Sequence, residues 1–271
     1  MAANPPALIP AHRRAVILKH VRAAAGASIP DLARITGASA STIRRDLERL
    51  EHEGHLRRAH GGALLDAERS RFEPDIATAA ETARAEKEAI GRAAAERLSP
   101  GESVIFDSGS TVRAAARAAA ARSIALTAVT NDLGVARIFA GRPEVQVIVP
   151  GGQVRAGSLT LLGEPGLAFL REVRADIVLL GTHAIADGAL SDTSVEVAAM
   201  KRAMIAAGRR VILLADADKF RTAAFFRIAA LDAIDELITD GRADATALKA
   251  VCDAGVAVTV AGLRREGAAA R

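Results

Sequence analysis

The chain has 271 residues, 50% of them hydrophobic and 25% charged, a composition that builds a packed core and excludes an intrinsically disordered chain. The longest apolar runs, such as 124–129, fall far short of the roughly 18 residues that span a membrane, the first residues lack the pattern of a signal peptide, and the single Cys252 excludes an intrachain disulfide or a cysteine-based zinc site. The expectation is a cytoplasmic protein with no membrane partner, no metal and no cofactor.

The net charge of +4 is unevenly placed. Residues 1–72 hold 12 Lys and Arg against 7 Asp and Glu, and the remainder holds 24 against 25. A small basic unit ahead of a near-neutral larger one fits a nucleic-acid-binding head on a body with another task. The plainer alternative is a solvated, slightly basic domain.

In chain order, periodicity places a first helix at 12–25, with Ile17, Val21 and Ala25 on one face and Gly26 at its end. Ser28 caps a short second helix at 29–36, with Pro30 in its first turn and Asp31 as capping-box partner. Leu32 and Ile35 are expected to face inward. Thr36-Gly37-Ala38 is a tight turn. Ser39 caps a third helix that runs to residue 53, with Gly54 as its terminator.

Ile43, Leu47 and Leu50 make the inner stripe of that third helix. Ser41, Arg44, Arg45, Glu48, Arg49 and His52 make its outer surface. A short helix, a glycine turn and a longer helix with hydroxyls and guanidiniums near its start form a helix-turn-helix, whose second helix enters the major groove. There Ser39, Ser41 and Thr42 can hold phosphates or bases, and Arg44, Arg45 and Arg49 can bind guanine or phosphate oxygens.

Two short extended runs flank Gly61-Gly62, a hairpin signal that makes the unit a winged variant. Arg57, Arg58 and His60 then sit on the wing. The alternative is an exposed hairpin whose arginines only confer solubility. No Phe, Trp or Tyr precedes Phe72. Stacking platforms for RNA or single strands are therefore missing, and duplex DNA is the expected partner.

The run Ser41-Thr42-Ile43-Arg44-Arg45-Asp46-Leu47-Glu48-Arg49-Leu50-Glu51, followed by Gly54, Leu56, Arg58 and His60-Gly61-Gly62-Ala63, resembles the DNA-binding head of the DeoR family of bacterial transcription regulators. The resemblance implies DNA contact by Ser41, Thr42, Arg44 and Arg45. It implies for Asp46 a role in helix packing or in orienting an arginine. Residues 1–65 are thus expected to be a winged helix-turn-helix domain, 66–76 a charged linker carrying Pro74, and 77–271 a larger α/β effector domain.

In the larger domain an Ala-rich helix is expected at 77–98, with Ile90, Ala94 and Leu98 on one face and a stop at Ser99-Pro100-Gly101. Strands at 103–107, 124–129, 145–149, 176–180, 210–215, 236–239 and 256–260 alternate with helices at 112–121, 132–140 and 195–207. This alternation means an α/β fold, with a mostly parallel sheet and helices on both faces. Ligands of such sheets bind beyond the carboxyl ends of the strands.

At those ends lie Asp107-Ser108-Gly109-Ser110-Thr111, Thr130-Asn131, Gly151-Gly152-Gln153-Val154-Arg155 and Asp216-Ala217-Asp218-Lys219. Helix-start N–H groups, hydroxyls, glycines and cations together suit a phosphate. One such loop alone is more often a plain helix cap. Four of them point to a phosphorylated small molecule. The chain has no P-loop, no dinucleotide fingerprint and no nucleophile elbow.

Asp107 to Thr111 with Phe106, Thr130-Asn131, Gly151-Gly152 with Arg155, Gly163, Glu196 with Lys201-Arg202-Ala203-Met204, and Asp216 with Lys219-Phe220 resemble the effector domain of the same family. The likeness spans residues 10–240. It implies a ribose-5-phosphate-isomerase-like fold that senses phosphorylated sugar intermediates. It also implies a homo-oligomer, dimer or tetramer, that represses a sugar-catabolic operon. The implied effector contacts are Asp107, Ser108, Gly109, Ser110, Thr111, Thr130, Asn131, Gly151, Gly152, Arg155 and Lys219. Gly181-Thr182-His183-Ala184 departs from the Gly-x-Asn-Gly-like turn usual in the family.

The competing reading is a sugar-phosphate isomerase that carries a DNA-binding head. Related isomerases place an acidic Gly-Ala-Asp turn where this chain has Gly181-Thr182-His183. The carboxylate base that isomerisation needs is missing there; Asp107 and Asp187 are the remaining substitutes, but Asp107 is more simply an effector hydroxyl contact, so no catalytic residue is expected. A third reading, a structural DNA binder without ligand, leaves the polar strand ends unexplained.

Overall fold

The computed structural model describes residues 9–23, 26–52, 56–59, 61–64 and 82–262. The chain divides into two compact units, Met1–Phe72 and Glu73–Arg271. Ala25, Gly54, His60, the expected linker at 66–76 and the first residues of the expected Ala-rich helix, 77–81, lie outside the described residues.

The first unit contains α1 (Pro10–Ala23), β1 (Gly26–Ser28), α2 (Ile29–Thr36), α3 (Ala40–His52), β2 (Arg57–Ala59) and β3 (Gly62–Leu64). Local chemistry sets these boundaries. The Ser28 hydroxyl accepts the Asp31 N–H at 3.2 Å and donates to the Asp31 carboxylate at 2.7 Å. Gly37 ends α2 at φ 67, a left-handed conformation suited to glycine. The Ser39 hydroxyl accepts the Thr42 N–H at 3.2 Å and so caps α3. Ile17, Val21, Leu32, Ile43, Leu47, Leu50 and Leu56 form one core.

Two expectations change here. Ile35 is 39% exposed, not inward. On so short a helix the i, i+4 pair Leu32 and Thr36 takes the inner stripe, and the buried Thr36 hydroxyl donates to the Leu32 carbonyl at 2.6 Å. Gly26 does more than end a helix, because it opens β1. That strand pairs with β3, giving a three-stranded sheet in the order β1-β3-β2. A Cβ on Gly62 would lie 2.2 Å from the Ala27 carbonyl oxygen, so the pairing requires glycine.

The second unit contains α4 (Arg84–Ala95), β4 (Ser103–Phe106), α5 (Ser110–Ala120), β5 (Leu126–Thr130), α6 (Leu133–Phe139), β6 (Val145–Ile148) and the small hairpin β7 (Gln153–Val154) with β8 (Leu161–Leu162). There follow α7 (Gly166–Glu172), β9 (Ala175–Leu180), β10 (Ala184–Ala186), β11 (Ala189–Asp192), α8 (Val195–Ala207), β12 (Gly208–Leu214), β13 (Phe226–Ala230), β14 (Glu236–Asp240), α9 (Ala245–Asp253) and β15 (Ala257–Ala261). Seven strands form one wholly parallel sheet in the order β15-β14-β12-β9-β4-β5-β6. A second, antiparallel sheet of β10, β11 and β13 was not anticipated.

The parallel strands are short apolar runs because both of their faces are buried. On one face Phe106, Leu179, Ile212 and Ile238 pack against Ile90, Val112, Ala115 and Phe139 of α4, α5 and α6. On the other, Ile105, Val178, Leu213 and Leu237 pack against Leu170, Met200, Met204 and Val251 of α7, α8 and α9. From β4 the chain builds outward through β5 and β6, then returns to β9 on the other side of β4 and continues outward through β12, β14 and β15. The order reverses between β4 and β9. A crevice at the carboxyl ends of strands opens at such a reversal.

Candidate functional site

In the first unit, the outer face of α3 carries exposed Ser41, Arg44, Arg45 and Arg49. The Ser39 hydroxyl lies 2.9 Å from those of Ser41 and Thr42, a small hydroxyl cluster at the helix start. Arg44 and Arg45 project in different directions, as 3.6 residues per turn dictates. Asp46 is buried. It takes the Arg13 guanidinium at 2.5 Å, with Arg14 at 3.8 Å, and thereby ties α3 to α1.

On the wing, the Arg58 N–H donates to Glu51 at 2.8 Å and its guanidinium to Glu48 at 3.0 Å. Arg58 is therefore attached to α3, by an exposed pair of the kind that contributes little stability. Arg57 lies in β2, opposite Leu64. His60 is outside the described residues.

In the second unit, the strand-order reversal between β4 and β9 holds a buried ion pair. Asp107 follows β4 and is 1% exposed, and Lys201 of α8 is 4% exposed. The Lys201 ammonium donates to the Asp107 carboxylate and to the Gly181 carbonyl at 3.0 Å. The same Asp107 oxygen accepts the Gly181 N–H at 2.9 Å. One lysine thus joins the ends of the two strands that flank the reversal.

His183, two residues beyond Gly181, is 4% exposed. Burial, together with the positive charges of Arg221, Lys219, Lys201 and Arg155, pushes its pKa down to about 3. The imidazole is neutral, and four cations act on it. Arg221 also donates to the His183 carbonyl at 3.0 and 2.8 Å. Positive charge gathered at the carboxyl edge of a sheet suits an anionic ligand.

The other expected contacts lie in segments that follow strands of the parallel sheet. Gly109 precedes α5 at φ 118, and no side chain caps that helix. Its N–H meets Asp132 at 3.3 Å, and the Asp132 carboxylate also holds Arg113 at 2.9 Å and the Gly134 N–H at 2.7 Å. Ser108 and Ser110 are half-buried, and Thr111 is buried. The buried Thr130 hydroxyl accepts the Asp132 N–H at 3.0 Å. Asn131 donates to the Leu161 carbonyl at 3.0 Å, and its Oδ1 accepts no hydrogen bond among the described residues.

Gly151 and Gly152 have φ 86 and 130. A Cβ on Gly152 would lie 2.6 Å from the Leu162 carbonyl oxygen, so β7 meets β8 only through glycine. Arg155 lines an open cleft of about 240 Å³ with Gln153, Val154, Leu162, Gly163, Ser194 and Glu196. Lys219 ends a short 3-10 turn at 217–219, which Asp216 caps by accepting the Asp218 N–H at 3.2 Å.

Arg155 and Lys219 thus act electrostatically on His183, as does Lys201, the partner of Asp107. The sequence singles out the turn that holds His183 without giving that residue a contact, gives Lys201 no role, and does not point to Arg221, Asp132 or Arg113. A signal for Lys201 existed: it shares the inner stripe of α8 with Val197 and Met204, where a lysine needs a buried partner. Among the described residues no helix is long and apolar enough to cross a membrane, and no group of three or more His, Cys, Asp or Glu could hold a metal ion.

Comparison with known proteins follows the same two-part division. The family described as DeoR-like helix-turn-helix domain matches residues 13–69, and that described as DeoR C terminal sensor domain matches residues 82–241. The HTH-type transcriptional regulator GlpR of Haloferax volcanii is 33% identical over 93% of this chain and 98% of its own length. The Glycerol-3-phosphate regulon repressor of Escherichia coli is 31% identical over 88% of this chain and 93% of its own. Ribose 5-phosphate isomerase A from Methanocaldococcus jannaschii aligns with 51% of this chain and 55% of its own at 12% identity and a TM-score of 0.39, a likeness too faint to carry an argument.

Proposed function

The chain belongs to the DeoR family of transcription regulators and is not an enzyme, and on that premise we propose that it represses a sugar-catabolic operon and is released by a phosphorylated sugar. The observation that carries the ligand class is the meeting of Arg155, Lys201, Lys219 and Arg221 on the neutral His183, beside Asp107. The cations, with the uncapped start of α5 at Ser110, take the phosphate. Asn131 Oδ1, buried and without a partner among the described residues, takes a hydroxyl of the sugar. Arg44, Arg45 and the hydroxyls of Ser39, Ser41 and Thr42 contact operator DNA, with Arg49 and wing residues Arg57, Arg58 and His60 at its edges.

Two heads on a homo-oligomer would meet two half-sites of a repeated or palindromic operator in the cytoplasm. The sugar phosphate acts by binding one arrangement of the oligomer more tightly than the other. The family names of the relatives support a repressor. One relative is named for a glycerol-3-phosphate regulon, which places a phosphorylated polyol among the first compounds to try.

The test is a mobility shift with DNA from upstream of the chain's own gene and its neighbours, with and without a panel of sugar phosphates. Binding that one sugar phosphate relieves supports the reading. Binding that none of them alters refutes the effector class, and no binding refutes regulation at that locus.

A further inference from the structure

The first turn of α4 is tied to the Lys219 turn by two charged links. Lys87 Nζ lies 3.8 Å from Asp216 Oδ2, and the two residues are 5% and 1% exposed. One residue earlier, Glu86 meets Arg242 at 3.4 Å, and Arg242 holds Asp240 at 2.9 Å and Asp218 at 3.3 Å. Asp240 in turn accepts the Ala217 N–H at 2.8 Å. The groups that fix the turn ending in Lys219 are the groups that fix the start of α4.

Three features set this link apart. Asp216 Oδ2 accepts no hydrogen bond among the described residues, although buried carboxylate oxygens ordinarily find donors. Its 3.8 Å separation from Lys87 is too long for a hydrogen bond. Ala83, immediately before α4, has φ 52 and ψ 41, a left-handed conformation that a residue with a Cβ resists. In the sequence, α4 follows the segment that joins it to the DNA-binding unit.

We infer that a hydroxyl of the bound sugar phosphate donates to Asp216 Oδ2, and that the Lys87–Asp216 pair passes this event to α4 and so to the DNA-binding unit. The inference rests on the repressor reading above. A carboxylate oxygen accepts a proton donor and repels an anion, so the group received there is a hydroxyl and not the phosphate. Lys219, three residues on, supplies the cation for the anionic group. Burial lowers the pKa of Lys87, and the charges of Asp216 and Asp218 oppose that.

The full-length chain and its Lys87→Met and Asp216→Asn variants test this with glycerol 3-phosphate, ribose 5-phosphate, fructose 6-phosphate and inorganic phosphate. Calorimetry reads ligand binding, and mobility shift reads DNA affinity. In the parent chain the active sugar phosphate should lower DNA affinity about tenfold or more. In Lys87→Met the same compound should still bind, within about threefold, while DNA affinity changes less than about twofold. Asp216→Asn, an isosteric change that carries the test if Lys87→Met does not fold, should weaken the sugar phosphate and spare inorganic phosphate.

Normal release of DNA by ligand-bound Lys87→Met would overturn the coupling. Equal loss of sugar phosphate and inorganic phosphate in Asp216→Asn would overturn the hydroxyl contact. A parent chain that binds none of the sugar phosphates overturns the effector class and this inference with it, a result distinct from binding without release.

Discussion

Lys201 of α8 and Asp107 at the end of β4 form a buried ion pair that also holds the backbone of Gly181 at the end of β9. The pair spans the point at which the strand order reverses. It therefore ties the ends of β4 and β9 to α8.

Breaking that pair from one side should be costly. Lys201→Met leaves the Asp107 carboxylate buried without its cation, at a cost of about 3–5 kcal/mol. Adding Asp107→Asn removes the stranded charge, so the double variant should recover part of the loss. Denaturant unfolding of the full chain measures both. Strictly additive losses would mean that the two residues do not act together.

His183 sets a pH dependence whose sign follows from its buried, neutral state. Its folded value of about 3 lies below the ordinary 6.5, so the unfolded chain takes up the proton first. The contribution is complete above pH 6.5 and declines as the pH falls toward 3. Between pH 6.5 and 5 the loss is about 2 kcal/mol. His183→Asn should flatten stability across this window, and an unchanged slope would contradict the assignment.

Arg44→Ala with Arg45→Ala should abolish operator binding and leave ligand binding intact. Singly, a guanidinium that reads a base is worth about 1–3 kcal/mol and relaxes specificity at one position, whereas one that holds a phosphate lowers the salt slope by about one. Mobility shifts at several salt concentrations separate the two roles. Retention of operator affinity by the double variant would remove α3 from the DNA interface.

Asp46→Ala should weaken DNA binding indirectly. It removes the carboxylate that pairs with Arg13 at the junction of α1 and α3, with a cost to the head of about 3 kcal/mol. Thermal unfolding of the full chain followed at a probe in the first unit reads this. Undiminished stability with lost DNA binding would instead make Asp46 a direct contact.

Gly152→Ala should displace the β7–β8 hairpin, because its Cβ meets the Leu162 carbonyl and its φ is 130. Calorimetry should show weaker binding of the sugar phosphate at unchanged DNA affinity. Normal ligand binding would place the hairpin outside the site.

Much of this was legible in the sequence because the signals are local. Ser28, Gly37 and Ser39 mark the ends of α2 and α3, and Ile43, Leu47 and Leu50 mark the buried stripe of α3. The alternation of apolar runs with helical stretches gave the parallel sheet. What escaped depends on distance along the chain. β1 exists only through its pairing with β3, and β13 joins β11 from 34 residues away in register, with Asp192 opposite Phe226. The Asp187-Gly188 turn, with φ 50 and 69, was a local hairpin signal for β10 and β11 that went unread. Lys201, Arg221 and His183 meet only because β9, α8 and the loop after β12 converge on one edge. No spacing in the sequence expresses that meeting, whereas Asp107, Arg155 and Lys219 stand directly after strands, or close to them, and could be picked out by place.

The central claim is that a sugar phosphate held at this edge governs DNA binding. Its most direct test is a titration of DNA release by the active sugar phosphate, run in parallel on the parent chain and on Lys219→Ala. The account predicts equal DNA affinity without ligand and a release curve displaced to about tenfold higher ligand concentration in the variant, the worth of one charge-assisted contact. Superimposed release curves would contradict it.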